Sequence, residues 1–414
     1  MITEDVKAEI IFTDGTSISV SSAGITGNFS ISSQAVSGQG FELGSVCSAQ
    51  LSATFKILGV NRYKMLGAVI KPQIFKGGEW HNAGAFNVTS ASRCRDMITV
   101  SASDNLILLD SVAYTESEAG EKINLIAEYL KTQRTIYEAL KYIVEDIGGQ
   151  ILAHTQSEIE AMPNGSKSTI VFQDVSTECP RDWLSWIAET LGGFAYADSD
   201  GKIAIGHFET IPTAVIANDI IQADTADIAD FTILLVGVRI TEVWDGSGGA
   251  VWFSDRDGKP NSIYVELSDN WIVQGQNYID RYSMDVLTNL NSTISDIPYR
   301  PFNATVHCNE LLHIGQCVQI QDADGDFYSS VITHHIWTLN GGQKIECAGS
   351  DTRLLADTKR RTAVKRESEK LQSKIKLAMG TDMTQSDFDS LADSGKAIEG
   401  QTYYIIDDTE DTTQ

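Results

Sequence analysis

Positive charge is scarce in this sequence beside negative charge. Its 31 Lys and Arg face 56 Asp and Glu, leaving a formal net charge of −25 at pH 7. Such acidity excludes a surface that coats nucleic acid generally, because phosphate binding runs on Lys and Arg. Solubility alone explains it, and it is also compatible with a channel wall that must repel DNA rather than hold it. Cysteine is sparse as well: Cys47, Cys94, Cys179, Cys308, Cys317 and Cys347 form no C-x-x-C pair, and most have apolar neighbours. They are expected to be buried thiols of a chain made in a reducing cytosol, not a disulfide framework. No apolar run approaches the ~18 residues that span a bilayer. The opening MITEDVKAEI lacks the basic and apolar regions of a signal peptide, so export is expected to use another route.

Recognisable catalytic chemistry is missing too. No G-x-S-x-G elbow, P-loop, G-x-G-x-x-G or H-E-x-x-H appears. Acids are numerous enough that two could pair as in a glycosidase, but abundance is not evidence. Three stretches invite a metal: Asp198-Ser-Asp200-Gly201, Asp255-Arg-Asp257-Gly258 and Asp322-Ala-Asp324-Gly325-Asp326. None is followed by the bidentate Glu of an EF-hand, and each sits between alternating segments where Asp-Gly supplies a turn. His334 and His335 are adjacent, so on a strand they point to opposite faces and cannot grip one ion together. His307, Cys308, His313 and Cys317 lie close in HCNELLHIGQC but lack zinc-ligand spacing. The expectation is therefore no catalytic, cofactor or metal residue.

At 414 residues and 42% hydrophobic, the chain can bury several cores, and two to four domains are expected. Residues 1–114 read as β-structure, with AEIIF, SISV, FSIS, LSATFKI, AVIKPQIF, AFNVTSASR and MITVSAS separated by turn signals. That spacing suits a small antiparallel barrel or sandwich. Residues 115–210 read as an α/β domain. Ile123, Ile126, Leu130, Tyr137, Leu140 and Val144 keep helical spacing until Gly148-Gly149. CPRDWLSWIAETLGG is a second helix, with Pro180 at its start and Trp183, Ile187 and Leu191 on one face, followed by a hairpin around Asp200-Gly201. A second β-barrel is expected from 211–243 and 297–350, with 244–296 as an insertion. Residues 351–380 hold nine Lys or Arg against four acids on helical spacing, which reads as a solvated helix or short coiled-coil stem. Residues 381–414 carry nine acids and one Lys396, with TYYIIDD as a strand before a polar tail. The fold class is thus mainly β with an α/β insertion, two small antiparallel barrels and a C-terminal helical stem.

The order of these segments is similar to that of phage tail hub or baseplate hub proteins of tailed phages and contractile injection systems. FELGSVCSAQLSATFKI (41–57) resembles the strand pair near the start of such hubs, and DWLSWIAETLGGFAYADSDGKIAI resembles their helix–hairpin element. NELLHIGQCVQIQDADGDFYSSVITHHIWTLNGGQKIECAG is similar to the end of the second hub barrel, with Gly315-Gln316 where the family often has Gly-Asp. MTQSDFDSLADSGKAIEGQTYYIIDD resembles a short module of phage structural proteins.

The resemblance implies a homotrimer whose tail-tube-like barrels form a pseudo-sixfold ring at the virion tail tip. The ring would continue the tail tube, contact a distal tail or tail-tube protein, and adapt sixfold to threefold symmetry. Its lumen would pass the tape-measure protein and then DNA without stable nucleic-acid binding. Only about 64 residues follow the second barrel, too few for a lysozyme or peptidase domain, so the stem would instead dock a tip, spike or fibre protein. Two alternatives stand beside this expectation: a carbohydrate-active or peptidoglycan-degrading enzyme of a tail, and a secreted adhesin, which would normally carry a signal peptide.

Overall fold

A computed structural model describes residues 5–26, 29–38, 40–116, 122–171, 178–222, 225–242, 249–254, 261–267, 270–273, 284–322, 324–348, 381–384 and 403–406. Two compact units are resolved by their internal contacts, residues 1–115 with 123–352, and residues 116–122 with 353–414. The expected basic stem at 351–380 lies outside the described residues. In the smaller unit, Thr381–Thr384 pairs in parallel with Tyr403–Ile406, the strand expected from YYII.

The larger unit is mainly β. Its first strands are β1 (Asp5–Ile11), β2 (Ser17–Val20), β3 (Ser30–Gln34), β4 (Gln50–Lys56), β5 (Val69–Lys76), β6 (Glu79–Asn82), β7 (Phe86–Cys94) and β8 (Met97–Asp104). Period-two alternation builds them: Val6, Ala8 and Ile10 of β1, Leu51, Ala53 and Phe55 of β4, and Ile98, Val100 and Ala102 of β8 all face one buried core. Each such side chain taken out of water contributes roughly 1.5–3 kcal/mol for a Leu, Ile or Phe.

The sheet does not close on these eight strands. β3 pairs with His334–Thr338, from His334↔Gln34 to Thr338↔Ser30. Through that pairing the path continues into Gly342–Cys347, Phe302–Val306 and Asp227–Ile228, making twelve strands in all. Trp337 accordingly packs in the core of β1–β8, its ring edge-on to Phe29 at 5.9 Å. Elsewhere, Ala214–Ile216 runs parallel to Cys317–Gln321, which pairs antiparallel with Phe327–Val331. Leu234–Glu242 takes its partners, Gly249–Ser254 and Ser262–Glu266, from the stretch expected as an insertion, and helix Met284–Ile294 packs on it.

Helices concentrate between residues 125 and 190. The single helical period expected across 115–149 is broken in two. Ile123 lies in the strand Lys122–Asn124, helix Leu125–Leu130 follows, and a new helix starts at Ile136. The break is chemical: Thr135 and Glu138 form a capping box, each side chain meeting the other's backbone N–H. Both helices nonetheless turn Ile126, Leu130, Leu140 and Val144 toward one core, so the apolar spacing survives the break. Helix Pro180–Thr190 matches expectation, with Pro180 in its first turn, Trp183, Leu184 and Ile187 buried, and Gly192 beyond its end at φ 76°.

The segment 41–48 departs from expectation. Only Gln50–Lys56 is a regular strand, while Phe41–Ser48 is a loop packed on helix Pro180–Thr190. Gly44 sits at φ 76°, where its N–H donates to Gly193 O (2.7 Å) and its carbonyl accepts from Ser185 Oγ (2.5 Å). Ser45 O then accepts from Ala195 N at 2.8 Å. Arg181 clasps the same loop, donating to Val46 O (2.9 Å), Ser48 Oγ (2.9 Å) and Leu106 O (2.8 Å). Asp110 neutralises its guanidinium at 2.5 Å.

A Cβ on Gly44 would lie 2.7 Å from the Ser185 carbonyl oxygen, whereas one on Gly59, at nearly the same φ of 77°, would meet nothing within 4 Å. Gly44→Ala is expected to lower the unfolding free energy by about 2–5 kcal/mol, combining left-handed strain with backbone overlap. Gly59→Ala should lose only the strain, about 1–2 kcal/mol. Urea denaturation of the two variants checks the difference.

Candidate functional site

Two of the three Asp-Gly stretches are described, and both are hairpin turns built alike. Asp198 Oδ1 accepts from the N–H groups of Asp200 and Lys202, both at 2.9 Å, and Gly201 takes φ 82°. Asp322 Oδ1 accepts from Asp324 N (3.0 Å) and Asp326 N (2.9 Å), and Gly325 takes φ 92°. The leading carboxylate caps the turn. Asp255 and Asp257 lie outside the described residues.

The histidines separate as a strand requires. His335 is buried and bonds Gln343 Oε1 through Nε2 at 3.1 Å, while His334 is half-buried and meets Thr333 Oγ1 at 3.0 Å. Gln343 is a fully buried hub. Its Oε1 also accepts from Leu312 N at 2.9 Å, and its Nε2 donates to Glu310 O (2.7 Å) and Cys308 Sγ (3.1 Å). His313 instead faces Glu209, Nε2 to Oε1 3.9 Å, and Glu209 Oε2 accepts from Cys317 N at 3.1 Å. Among the described residues, no three His, Cys, Asp or Glu side chains are grouped to hold a metal ion. Cysteine exposure is mixed: Cys317 and Cys347 are buried, with thiols pushed by burial up to about 11 and about 12, whereas Cys94 is exposed.

What the sequence did not announce is a cavity of about 330 Å³ over the inner face of the joining strands. Its floor is Ile31 and Ser33 of β3 beside their register partners Trp337 and His335. Its roof is the hairpin Phe194–Ala197 and Ile203–Gly206, followed by His207 and Glu209. The hairpin tip is tied to the main sheet by Asn105 Nδ2 to Gly201 O (2.7 Å), Asn82 Nδ2 to Asp200 Oδ1 (3.1 Å) and Gly84 N to Ser199 O (3.1 Å). Gly315 closes one side. A Cβ there would lie 2.9 Å from Phe194 Cζ, so the turn needs glycine both for its φ of 81° and for this approach. Gln316 is buried and braces the turn by donating to Thr213 Oγ1 at 3.1 Å and accepting from His313 N at 3.2 Å.

Burial shifts Asp104 and three histidines around this cavity. Asp104, whose Oδ2 accepts from Ala49 N and Oδ1 from Leu106 N, is pushed up to about 6 by desolvation. His335 is pushed down to about 4 by desolvation, and His207 and His313 are lowered for the same cause. Sequence reasoning missed Arg181 and this cavity. A signal existed for the former: a cation in the first turn of a helix opposes the macrodipole, so it must be engaged elsewhere. The cavity has no comparable signal, because its lining comes from segments remote in sequence.

With this geometry in place, the fold class can be stated: the chain has the fold of a phage tail protein. It is similar to the tail protein from Neisseria meningitidis MC58, at TM-score 0.50 and 12% identity, covering 83% of this chain and 96% of that one. It also matches the 43 kDa tail protein of prophage MuSo2 from Shewanella oneidensis at TM-score 0.47 and 14% identity, covering 82% of this chain and 97% of that one. A prophage tail protein from Listeria monocytogenes matches at TM-score 0.47 and 12% identity, covering 87% and 99%. No protein-family model matches the sequence, and no curated protein matches it. Among the described residues no helix is long and apolar enough to cross a membrane.

Burial depresses the folded-state pKa of His335 below its ordinary 6.5, so protonation favours the unfolded chain. Its contribution to stability is present above 6.5 and is lost as pH falls toward about 4. Between those limits the wild type should lose about 3 kcal/mol relative to His335→Gln, whose side chain does not titrate. Paired denaturation curves at pH 7 and pH 4.5 measure this, and the subtraction removes the opposing contribution of Asp104 common to both proteins.

Proposed function

We propose that this protein is a structural hub of a phage tail tip or baseplate. The observation that carries the proposal is the fold likeness to the Neisseria meningitidis tail protein, which extends over 83% of this chain and 96% of that one. Three copies close into a pseudo-sixfold ring, each supplying two similar β-domains, residues 1–114 and residues 211–243 with 297–350. The α/β domain at 115–210 and the insertion at 244–296 brace them. The ring continues the tail tube and adapts its sixfold symmetry to a threefold tip. Tape-measure protein and DNA pass through its lumen, while the basic stem at 351–380 and the acidic segment 381–414 dock a tip, spike or fibre protein.

Three further features support this. The sheet path ends in the short strands β2 and Asp227–Ile228, whose outer edges are unpaired among the described residues and offer backbone groups for pairing with a neighbour. The net charge of −25 suits a wall along which DNA slides without adhering. The loops and turns are held by backbone hydrogen bonds and close glycine contacts, which suits a part whose work is shape and pairing.

Light scattering on the purified full chain should give three times the 45.2 kDa chain mass, either alone or after mixing with the tail-tube protein. A monomer that stays monomeric with that partner present overturns the hub. A lysis band from this chain alone in a cell-wall zymogram would replace it with an enzyme.

A further inference from the structure

The cavity beneath the Phe194–Gly206 hairpin has a one-sided chemistry. Four aromatic rings line it: Phe86, Phe194, Tyr196 and Trp337. Asp104, Asp198 and Glu209 also line it, and neither Lys nor Arg is among its lining residues. Its volume of about 330 Å³ falls within the range of small-molecule pockets.

We propose that this cavity binds a small organic cation, an ammonium group on an apolar body that also carries a hydroxyl or carbonyl oxygen. The inference goes beyond the hub proposal and does not rest on it. Aromatic faces attract a desolvated ammonium through their quadrupoles, and indole does so best. Asp198 turns Oδ1 to the N–H groups of its own turn, whereas Asp104 and Glu209 supply the countercharge. Both carboxylates are held in place, Asp104 by the N–H groups of Ala49 and Leu106 at 2.8 and 3.0 Å. Glu209 is held through Oε2 by Thr213 Oγ1 at 2.9 Å and Cys317 N at 3.1 Å, which leaves Oε1 toward His313.

The histidines do not compete for the role of cation. Burial lowers the proton affinity of His207, His313 and His335, which favours their neutral forms. Lys76 is buried near enough to act on His335, yet it is not among the residues that line the cavity.

A second, independent observation asks for the oxygen. Trp337 is 1% exposed, and its Nε1–H has no hydrogen-bond partner among the described residues. A buried indole N–H normally finds an acceptor. On the same strand face, His335 commits Nε2 to Gln343, so its neutral ring keeps Nδ1 as an acceptor. Both residues line the cavity, so its floor carries an unpaired donor and an acceptor between aromatic and acidic walls, a combination that suits an amino alcohol better than a hydrocarbon or an anion.

The test is titration of the full chain with choline and with dimethylbutanol, its uncharged tert-butyl isostere, followed by calorimetry and tryptophan fluorescence. Choline should bind saturably, at least about tenfold tighter than the isostere, and should change the tryptophan emission. Glu209→Gln should weaken choline binding by about threefold or more while leaving the isostere unaffected. Trp337→Phe keeps a ring but removes the donor, and should weaken choline by a similar factor; if it does not fold, Glu209→Gln alone decides. Equal binding of the two ligands overturns the cation, and no saturable choline binding overturns the site. Choline binding that neither variant alters places the ion on the general acidic surface and also overturns the proposal.

Discussion

Everything in the larger unit depends on one antiparallel pairing, that of Ser30–Gln34 with His334–Thr338. It joins chain segments some 300 residues apart. Closing so long a loop is an entropic cost that grows slowly with length and is set mainly by the need to close at all. The backbone ladder is reinforced at both ends, by Ala35 N to Thr333 O (2.7 Å) and Leu339 N to Phe29 O (3.0 Å). Trp337, carried by the late strand, then completes the core that β1–β8 began. The cavity floor is the same pairing seen from its inner face.

How much of this is legible in the sequence follows from the range of the interactions. The first eight strands and helix Pro180–Thr190 can be read because their signals are local: alternation, Asp-Gly turns, Pro180 and Gly192. The stop at 131–135 hides because two short helices packed on one core preserve the periodicity of a single long one. FELGSV alternates like a strand but spends its hydrogen bonds on helix Pro180–Thr190 and Ala195, and only Gly44 at positive φ hinted at a bend. The twelve-strand path is invisible locally, since nothing in SISSQ names HHIWT as its partner. The turn nature of Asp198 and Asp322 could be read, whereas the aromatic and acidic cavity could not.

Buried polar groups in this protein work mainly as fasteners. Gln343 satisfies four neighbours at once, including the His335 ring and the carbonyl of Glu310. Asn270 does similar work at the end of helix Pro180–Thr190, donating to Trp186 O at 3.0 Å and Glu189 Oε2 at 2.6 Å. Such networks fix register and orientation more than they add net stability, because each bond replaces one to water. For a part whose task is shape, that is the useful currency.

The late pairing also has a consequence for the newborn chain. During synthesis, β1–β8 are complete long before residue 334 is made, an interval on the order of tens of seconds at ordinary translation rates. Throughout it, β3 has only β4 beside it and presents a bare edge to the crowded cell. Its sequence, Ser30-Ile31-Ser32-Ser33-Gln34, carries four hydroxyl or amide side chains and a single large apolar one. That makes it a poor template for stray strands while it waits. The plainness of SISSQ is then a safeguard of manufacture: the edge stays inert until the one strand that brings Trp337 arrives.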